Sequence, residues 1–396
     1  MKEGWCIKKL GDVCVIERGG SPRPINKYIT EDSKGINWIK IGDAKNGSKY
    51  ITSTKEKIIS EGVKKSRYVY KGDLLLSNSM SFGHPYILDI EGCIHDGWLV
   101  IHDVHNTFIK DYLYYFLGSP QIYKVFKSMA VGGVVNNLNS EMVRNLKIAI
   151  PPIFEQKIIV AEFDKLNEIL AKKREQLKEL DRLGQAIFYD MFGDTIQNEK
   201  GWRITKLKSL TLKIGSGATP KGGNENYKDE GISLIRSLNV YNGDFKYKNL
   251  AFIDDIQAKA LDNVIVQKND VLLNITGASV ARCCIVPEKI LPARVNQHVA
   301  ILRVDPELLD YNFLCSLLIS NEYQSKLLQQ SKSNGATREA LTKVFIESLE
   351  IVVPPLKFQR QFVEKIECVN LQKQKIKQSI VEVQQLLDYT MNKYFG

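Results

Sequence analysis

The chain has 396 residues, of which 44% are hydrophobic and 25% are charged, as in globular proteins of two or three domains. No apolar run reaches the ~18 residues that span a bilayer, and the N-terminus lacks the apolar core of a signal peptide, so we expect a cytoplasmic protein. The net charge of +10 favours a polyanionic partner over an ordinary basic surface. Seven cysteines, an odd number without a C-x-x-C spacing, argue against a zinc ribbon and a disulfide framework, and indicate buried thiols.

The chain is an internal duplication with a period of about 200 residues. The stretch "KGDLLLSNSMSFG" from Lys71 recurs as "KNDVLLNITGASV" from Lys268. The stretch "IPPIFEQKIIVAEF" from Ile150 recurs as "VPPLKFQRQFVEKI" from Val353. The globular parts have diverged more than these junctions, which fits one architecture that presents two different recognition faces.

Residues 1–150 predict a mixed α/β domain. Short apolar runs that predict strands begin at Trp38, Leu74 and Trp98, and a helical pattern covers 111–128. Polar, Gly-rich loops accompany these runs and carry the residue types that contact phosphates and base edges. The candidates for DNA binding are Arg18, Ser21, Arg23, Asn78, Ser79, Ser81, His84, Asn136 and Asn137. Alternatively, each loop is a turn without a ligand.

Residues 151–199 predict a long helix. The strand "LKIAI" ends at Pro151-Pro152, because proline has no N–H for the ladder, and proline is tolerated in the first turn of a helix. The a/d pattern that follows spans about 40 residues, or roughly 60 Å. Its seam residues are Phe163, Leu166, Leu170, Leu177 and Leu180, and Lys173 interrupts them. Such a seam must be buried against a partner helix.

Residues 200–353 predict a second mixed α/β domain, with strands near Val271 and His298 and a helix over 310–330, where Tyr323 matches Tyr123. Its candidates for DNA binding are Thr219, Lys221, Asn274, Thr276, Ser279, Arg282, Asn296, Gln297, Thr337 and Arg338. Residues 354–396 predict the second long helix, with Lys373 in a seam of Ile366, Val369, Ile376, Ile380, Val383 and Leu387. We expect an α+β fold in which the helices form an antiparallel coiled coil with the two domains at opposite ends.

The sequence contains no recognisable catalytic or metal-binding motif. The Pro-Pro pairs at 151–152 and 354–355 lack the Asp or Asn that precedes the prolines of amino-methyltransferases. The stretch "GSGATPKGG" at 215–223 has Pro220 where a phosphate loop requires its second glycine. The five histidines have no Cys or acidic partners at metal-site spacing. We therefore expect no catalysis, no metal and no cofactor in this chain.

The whole chain resembles the specificity subunits of type I restriction–modification systems. A globular domain, a Pro-Pro…Gln junction and a long helix that ends in Phe-Gly occur in this order twice. The stretches "KGDLLLSNSMSFGHPYI", "NQHVAILRV" and "IPPIFEQKIIVAEF" are similar to sequences of that family. The order of these features over the full length carries the resemblance, since no single motif is a fingerprint.

The resemblance implies two target recognition domains, each of which reads one half of an asymmetric, interrupted double-stranded DNA sequence. It also implies that the helices set the gap between the half-sites and dock two modification subunits, which bind S-adenosylmethionine and methylate adenine. Restriction subunits that use ATP and Mg²⁺ would join the complex, whose role is phage defence. The alternatives are a specificity subunit of a related system whose partner both methylates and cleaves, an enzyme, and a coiled-coil scaffold that binds only protein.

Overall fold

The structure is a computed structural model that describes residues 4–45, 47–79, 82–130, 137–220, 226–333 and 339–396. The chain forms two compact units. The first unit is Met1–Arg174 with Gln378–Gly396, and the second unit is Glu175–Lys377. Each unit combines helices with antiparallel and mixed sheets, so the predicted α+β fold is confirmed.

The first unit is built on two five-stranded sheets. Its strands are β1 (Cys6–Lys9), β2 (Cys14–Arg18), β3 (Ile29–Thr30), β4 (Ile36–Ile39), β5 (Tyr50–Ile51), β6 (Glu56–Ile58), β7 (Arg67–Val69), β8 (Leu74–Ser77), β9 (Pro85–Leu88), β10 (Gly92–Ile94), β11 (Trp98–Asp103) and β12 (Lys147–Ile150). Its helices are α1 (Ser60–Val63), α2 (Lys110–Leu117), α3 (Pro120–Ala130) and α4 (Ser140–Arg144), and the first long helix, α5 (Ile153–Phe192), follows. The sheet orders are β3-β6-β4-β10-β7 and β2-β11-β8-β9-β5, and β1 pairs with β12.

The second unit repeats this plan. Its strands are β13 (Arg203–Lys206), β14 (Thr211–Ser216), β15 (Ile232–Ile235), β16 (Val240–Tyr241), β17 (Asp244–Phe245), β18 (Ala251–Ile253), β19 (Ile265–Val266), β20 (Val271–Asn274), β21 (Cys283–Ile285), β22 (Ala293–Val295), β23 (Val299–Val304) and β24 (Glu350–Val353). Its helices are α6 (Asp255–Lys259), α7 (Tyr311–Ile319), α8 (Asn321–Ser333) and α9 (Lys343–Ser348), and the second long helix is α10 (Leu356–Phe395). The sheet orders are β14-β23-β20-β21 and β18-β15-β22-β19. Strands β2, β8 and β11 of the first unit therefore correspond to β14, β20 and β23.

The match of Tyr123 with Tyr323 in the repeat is wrong by one residue. The amide of Ile122 donates to the hydroxyl of Ser119, and the amide of Tyr323 donates to the hydroxyl of Ser320, both at 3.4 Å. Ile122 and Tyr323 are also both buried, as are Phe126 and Leu327 four positions further along the two helices. The sequence match was misleading because it paired residue types, whereas the helix start and the buried face define equivalent positions.

The glutamine of the first Pro-Pro junction joins the long helix to the sheet and to α2. Helix α5 begins directly after Pro152, whose carbonyl accepts from the Gln156 amide. The Gln156 side chain is fully buried. Its Oε1 accepts from the amide of Ile109, the residue that precedes α2, at 2.7 Å, and its Nε2 donates to the carbonyl of Pro151 at 2.9 Å.

The second junction has the same construction. Gln359 is fully buried, its Oε1 accepts from the amide of Asp310 at 2.8 Å, and its Nε2 donates to the carbonyl of Pro354 at 2.7 Å. Asp310 precedes α7 as Ile109 precedes α2. The recurrence of Gln five positions after the first proline therefore has a structural cause. A primary amide both donates and accepts, and here it satisfies an orphan helix amide and a proline carbonyl together.

Aromatic residues show that, within each unit, the parts of the two long helices that the unit contains run antiparallel. In the first unit, Phe163 near the start of α5 stacks on Phe395 at the end of α10, with ring centroids 5.6 Å apart. In the second unit, Phe192 at the end of α5 packs edge-on against Phe362 near the start of α10, at 5.3 Å. Each repeated Phe-Gly therefore ends a helix with a phenylalanine that packs into the core of a unit.

The predicted coiled-coil seam is buried unevenly. Phe163, Leu166, Leu170, Val369 and Leu387 are buried. The remaining predicted seam residues are half-buried: Leu177, Leu180, Ile366, Ile376, Ile380 and Val383. At one interruption of the seam, Nζ of Lys373 lies 2.7 Å from Oδ1 of Asp181 on the facing helix.

In each unit an aspartate directly precedes a strand of the main sheet, Asp73 before β8 and Asp270 before β20, and the basic residue paired with it differs between the units. In the second unit, Arg303 donates from Nε and an amino nitrogen to both oxygens of the buried Asp270, each at 2.8 Å. In the first unit, His102 stands at the equivalent position of β11, with Nδ1 3.4 Å from Oδ1 of Asp73. The hydrogen bond with Asp73 raises the pKa of the His102 imidazole and outweighs the opposite effect of burial. Burial raises the pKa of Asp73, but hydrogen bonds from His102 and from the Tyr70 amide lower it by more.

Candidate nucleic-acid interface

Three loops of the first unit meet at one end of the sheet that contains β2, β8 and β11. The residues after β2, the residues after β8 and the turn before β11 converge on Asp96. The Arg18 Nε donates to the Asp96 carbonyl at 2.8 Å, and the Asn78 Nδ2 donates to the same carbonyl at 3.1 Å. The Ser21 hydroxyl donates to Oδ1 of Asp96 at 2.9 Å. We call Arg18, Ser21, Asn78 and Asp96 the first polar edge.

The second unit has a counterpart built from the loops after β14 and β20 and the turn before β23. The Thr219 hydroxyl donates to Oε1 of Gln297. The Thr276 hydroxyl is hydrogen-bonded to Nδ1 of His298, and the other ring nitrogen lies 3.2 Å from Nε2 of Gln297. We call Thr219, Thr276, Gln297 and His298 the second polar edge. The two edges thus share a construction and differ in almost every side chain.

Glycine permits the close approach of these loops. A Cβ on Gly19 would lie 2.3 Å from the carbonyl oxygen of His95, and a Cβ on Gly217 would lie 1.8 Å from that of Val295. Any side chain at Gly19 would push the loop after β2 away from the turn before β11, and any side chain at Gly217 would do the same to the loop after β14 and the turn before β23. The arrangement of both edges therefore depends on this pair of glycines.

Three of the asparagines predicted to bind DNA are buried, which differs from the prediction. Asn78, Asn274 and Asn296 are at most 4% exposed. The Asn274 Nδ2 donates to the carbonyl of Ser237 and to the hydroxyl of Ser279, and the Asn296 Oδ1 accepts from the amide of His298. These side chains hold the loops in place, because turns in a sheet leave backbone groups that a short amide can satisfy.

The other predicted residues differ in how far they are exposed to solvent. Arg23, His84 and Gln297 are exposed, and Ser79, Asn137 and Ser279 are half-buried. The His84 ring stacks on Tyr123, with centroids 5.7 Å apart, and the Arg282 guanidinium lies 4.5 Å from the centre of the Tyr241 ring. Five predicted residues lie outside the described part of the chain: Ser81, Asn136, Lys221, Thr337 and Arg338.

Sequence reasoning missed Asp96, His298 and Tyr241. Asp96 and His298 lie in the turns that precede β11 and β23, so superimposing the two copies on these strands would have revealed them. Tyr241 lies in β16 and contacts Arg282 only through the fold. The prediction relied mainly on loops after apolar runs, whereas Asp96 of the first edge and both Gln297 and His298 of the second edge lie in the turn before β11 or β23.

The described residues contain no group of three or more His, Cys, Asp or Glu side chains that could hold a metal ion. No helix within the described ranges is long and apolar enough to cross a membrane. Five cysteines are buried, and burial raises the pKa of the Cys93 thiol to about 11. The prediction of buried thiols is wrong for Cys6 and Cys368, which are exposed.

Comparison with known proteins identifies the family of this architecture. The family model described as "Type I restriction modification DNA specificity domain" matches residues 2–180 and 199–385. The chain belongs to this family. The two matched segments each contain one polar edge and one Pro-Pro…Gln junction, so the duplication that the sequence shows is a duplication of the family's domain.

Relatives align over nearly the whole chain. The type I restriction enzyme MjaIX specificity subunit of Methanocaldococcus jannaschii is 23% identical over 90% of this chain and 85% of its own length. The EcoBI specificity subunit of Escherichia coli is 24% identical over 92% of this chain and 79% of its own length. A chain from a solved structure of a type I R-M system covers 100% of this chain and 98% of its own length, with a TM-score of 0.66 at 20% identity. At this identity the structural likeness concerns the fold alone.

Proposed function

We propose that this chain is the DNA-recognition subunit of a type I restriction–modification complex, and that each polar edge reads one half of a bipartite, asymmetric DNA sequence. The observation that supports this most directly is the pair of edges. Loops at equivalent places carry Arg18 and Asp96 in one unit and Thr219, Gln297 and His298 in the other. Side chains of these types read base edges by hydrogen bonding, so different sets at equivalent places read different bases. The net charge of +10 suits a DNA partner.

The recognition domains in this proposal are residues 1–150 and 200–353, and the helical segments are 151–199 and 354–396. The helical segments set the gap between the half-sites and bind two modification subunits. S-adenosylmethionine, ATP and Mg²⁺ belong to the modification and restriction subunits of the complex, and this chain contributes recognition without catalysis. The complex acts in the cytoplasm, where it meets incoming DNA.

The test is a binding selection. The chain is purified in complex with its modification subunit and incubated with random 40-base-pair duplexes, and the retained DNA is sequenced. We expect two short conserved blocks, different from each other, at one fixed separation. Exchange of residues 1–150 for those of another member of the family should then change one block only. A single conserved block, or loss of both blocks when residues 1–150 are exchanged, would refute the proposal that each unit reads its own half-site. Retention of DNA without any conserved block would favour a coiled-coil scaffold.

A further inference from the structure

Arg18 occupies a fixed position at the first polar edge. It is the last residue of β2 and pairs with Leu99 in the ladder with β11. Its carbonyl accepts from Nε of Arg67 at 3.0 Å, and its own Nε donates to the carbonyl of Asp96 at 2.8 Å. The backbone and the direction of the guanidinium are therefore both held before any ligand arrives, which reduces the entropy lost on binding.

The outer part of this guanidinium is left free. The Arg18 side chain is 57% exposed, and its terminal amino groups form no hydrogen bond with the described residues. An amino nitrogen lies 4.0 Å from Oδ2 of Asp96, at the limit of an ion pair, where an exposed pair contributes little. The Asp96 carboxylate instead accepts from the Ser21 hydroxyl and lies 3.0 Å from Nε2 of His95.

This geometry suits a base edge better than a phosphate. A guanidinium presents two parallel N–H groups that match O6 and N7 of guanine in the major groove. A phosphate would match the same fork, but the neighbouring Asp96 carboxylate would repel it. Guanine carries no net charge, so the repulsion between its O6 and N7 and this carboxylate is much weaker than the repulsion of a phosphate.

We propose that Arg18, aimed by the Asp96 carbonyl, reads a guanine in the half-site that the first unit recognises. This inference rests on the proposed function and adds one base identity to it. The equivalent position of the second unit carries a serine in place of the arginine. Ser216, the last residue of β14, pairs with Ala300 in β23 as Arg18 pairs with Leu99 in β11. The contact proposed for Arg18 therefore has no equivalent at Ser216, which offers a matched control.

The experiment measures binding of the complex to duplexes in which each base pair of the first half-site is replaced in turn. Arg18→Lys keeps the charge and loses the planar fork. We expect its preference for guanine at one position to fall by about 5- to 150-fold, since this range is typical of a bidentate base contact. Asp96→Asn keeps the backbone carbonyl that orients Arg18, so it should reduce the preference for guanine at that position by less than Arg18→Lys does. Ser216→Ala should leave every preference in the first half-site unchanged.

Three outcomes overturn the inference. A first half-site without a G·C pair excludes it outright. Unchanged preferences in Arg18→Lys exclude the contact, and an equal loss of affinity for all sequences assigns Arg18 to a phosphate. Two controls exclude misfolding as the cause of a changed preference. The variants and the wild type should give the same circular dichroism spectrum, and they should show the same base preferences in the second half-site. If the wild-type complex shows no bipartite preference, the proposed function fails and the inference fails with it, which is distinguishable from a failure at Arg18 alone.

Discussion

Gln156 joins the first long helix to the first unit, and we expect Gln156→Ala to destabilise that unit strongly. The side chain is fully buried and forms three hydrogen bonds, with the Ile109 amide at 2.7 Å and with the carbonyls of Thr107 and Pro151 at 3.0 and 2.9 Å. Each such bond contributes about 1 kcal/mol, and a buried amide left without a partner costs more, so the loss is about 3–4 kcal/mol. For a unit of this size it lowers the melting temperature by about 10 °C.

Differential scanning calorimetry of the full chain measures this effect. Gln176→Ala serves as the control, because Gln176 is an exposed residue of the same helix and its replacement should change stability by less than about 0.5 kcal/mol. Gln156→Glu should be at least as harmful as Gln156→Ala, since a carboxylate would face two carbonyl oxygens. A melting temperature for Gln156→Ala within 2 °C of the control, which corresponds to about 1 kcal/mol or less, would refute the role assigned to the junction.

Two further changes test the units and the helices. His102 is paired with Asp73, and its raised pKa means that it stabilises the first unit fully below its unfolded pKa of about 6.5 and loses this effect as the pH rises through the folded pKa. Thermal unfolding at pH 6 and pH 8 should show this loss in the wild type and not in His102→Gln; equal pH dependence in both would contradict it. Insertion of four residues after Arg174 lengthens the helix by about 6 Å and should change the gap between the half-sites by about two base pairs. A selected sequence with the original gap and undiminished binding would show that the helices do not measure the target.

The local features of the fold were predictable from the sequence. Both long helices follow from a sustained a/d pattern, and the strands before them follow from apolar runs that end at Pro-Pro. These signals lie within a few residues of the structure that they specify. The pairing of the helices was also predictable, because two unpartnered seams in one chain bury each other.

The candidate site was predictable only in part. Arg18, Ser21 and Gln297 were predicted from their types and from the loops that hold them. Asp96 was not, because it lies 75 positions from Ser21, and only the pairing of β2 with β11 brings the two together. Asn78 was assigned to DNA for its residue type, whereas its amide is used inside the loop. Sequence pattern identifies polar loops, but the fold decides which side chains remain available to a ligand.

The central claim is that this chain confers a bipartite target on a modification subunit. Single-molecule methylome sequencing of a methylation-free host tests it most directly, with the chain and its modification subunit expressed together and with the modification subunit alone as the control. The account predicts N6-methyladenine in a two-part motif, with one fixed gap, only when the chain is present. No new methylation in cells where the complex is shown to assemble, or a motif that does not depend on the chain, would contradict it.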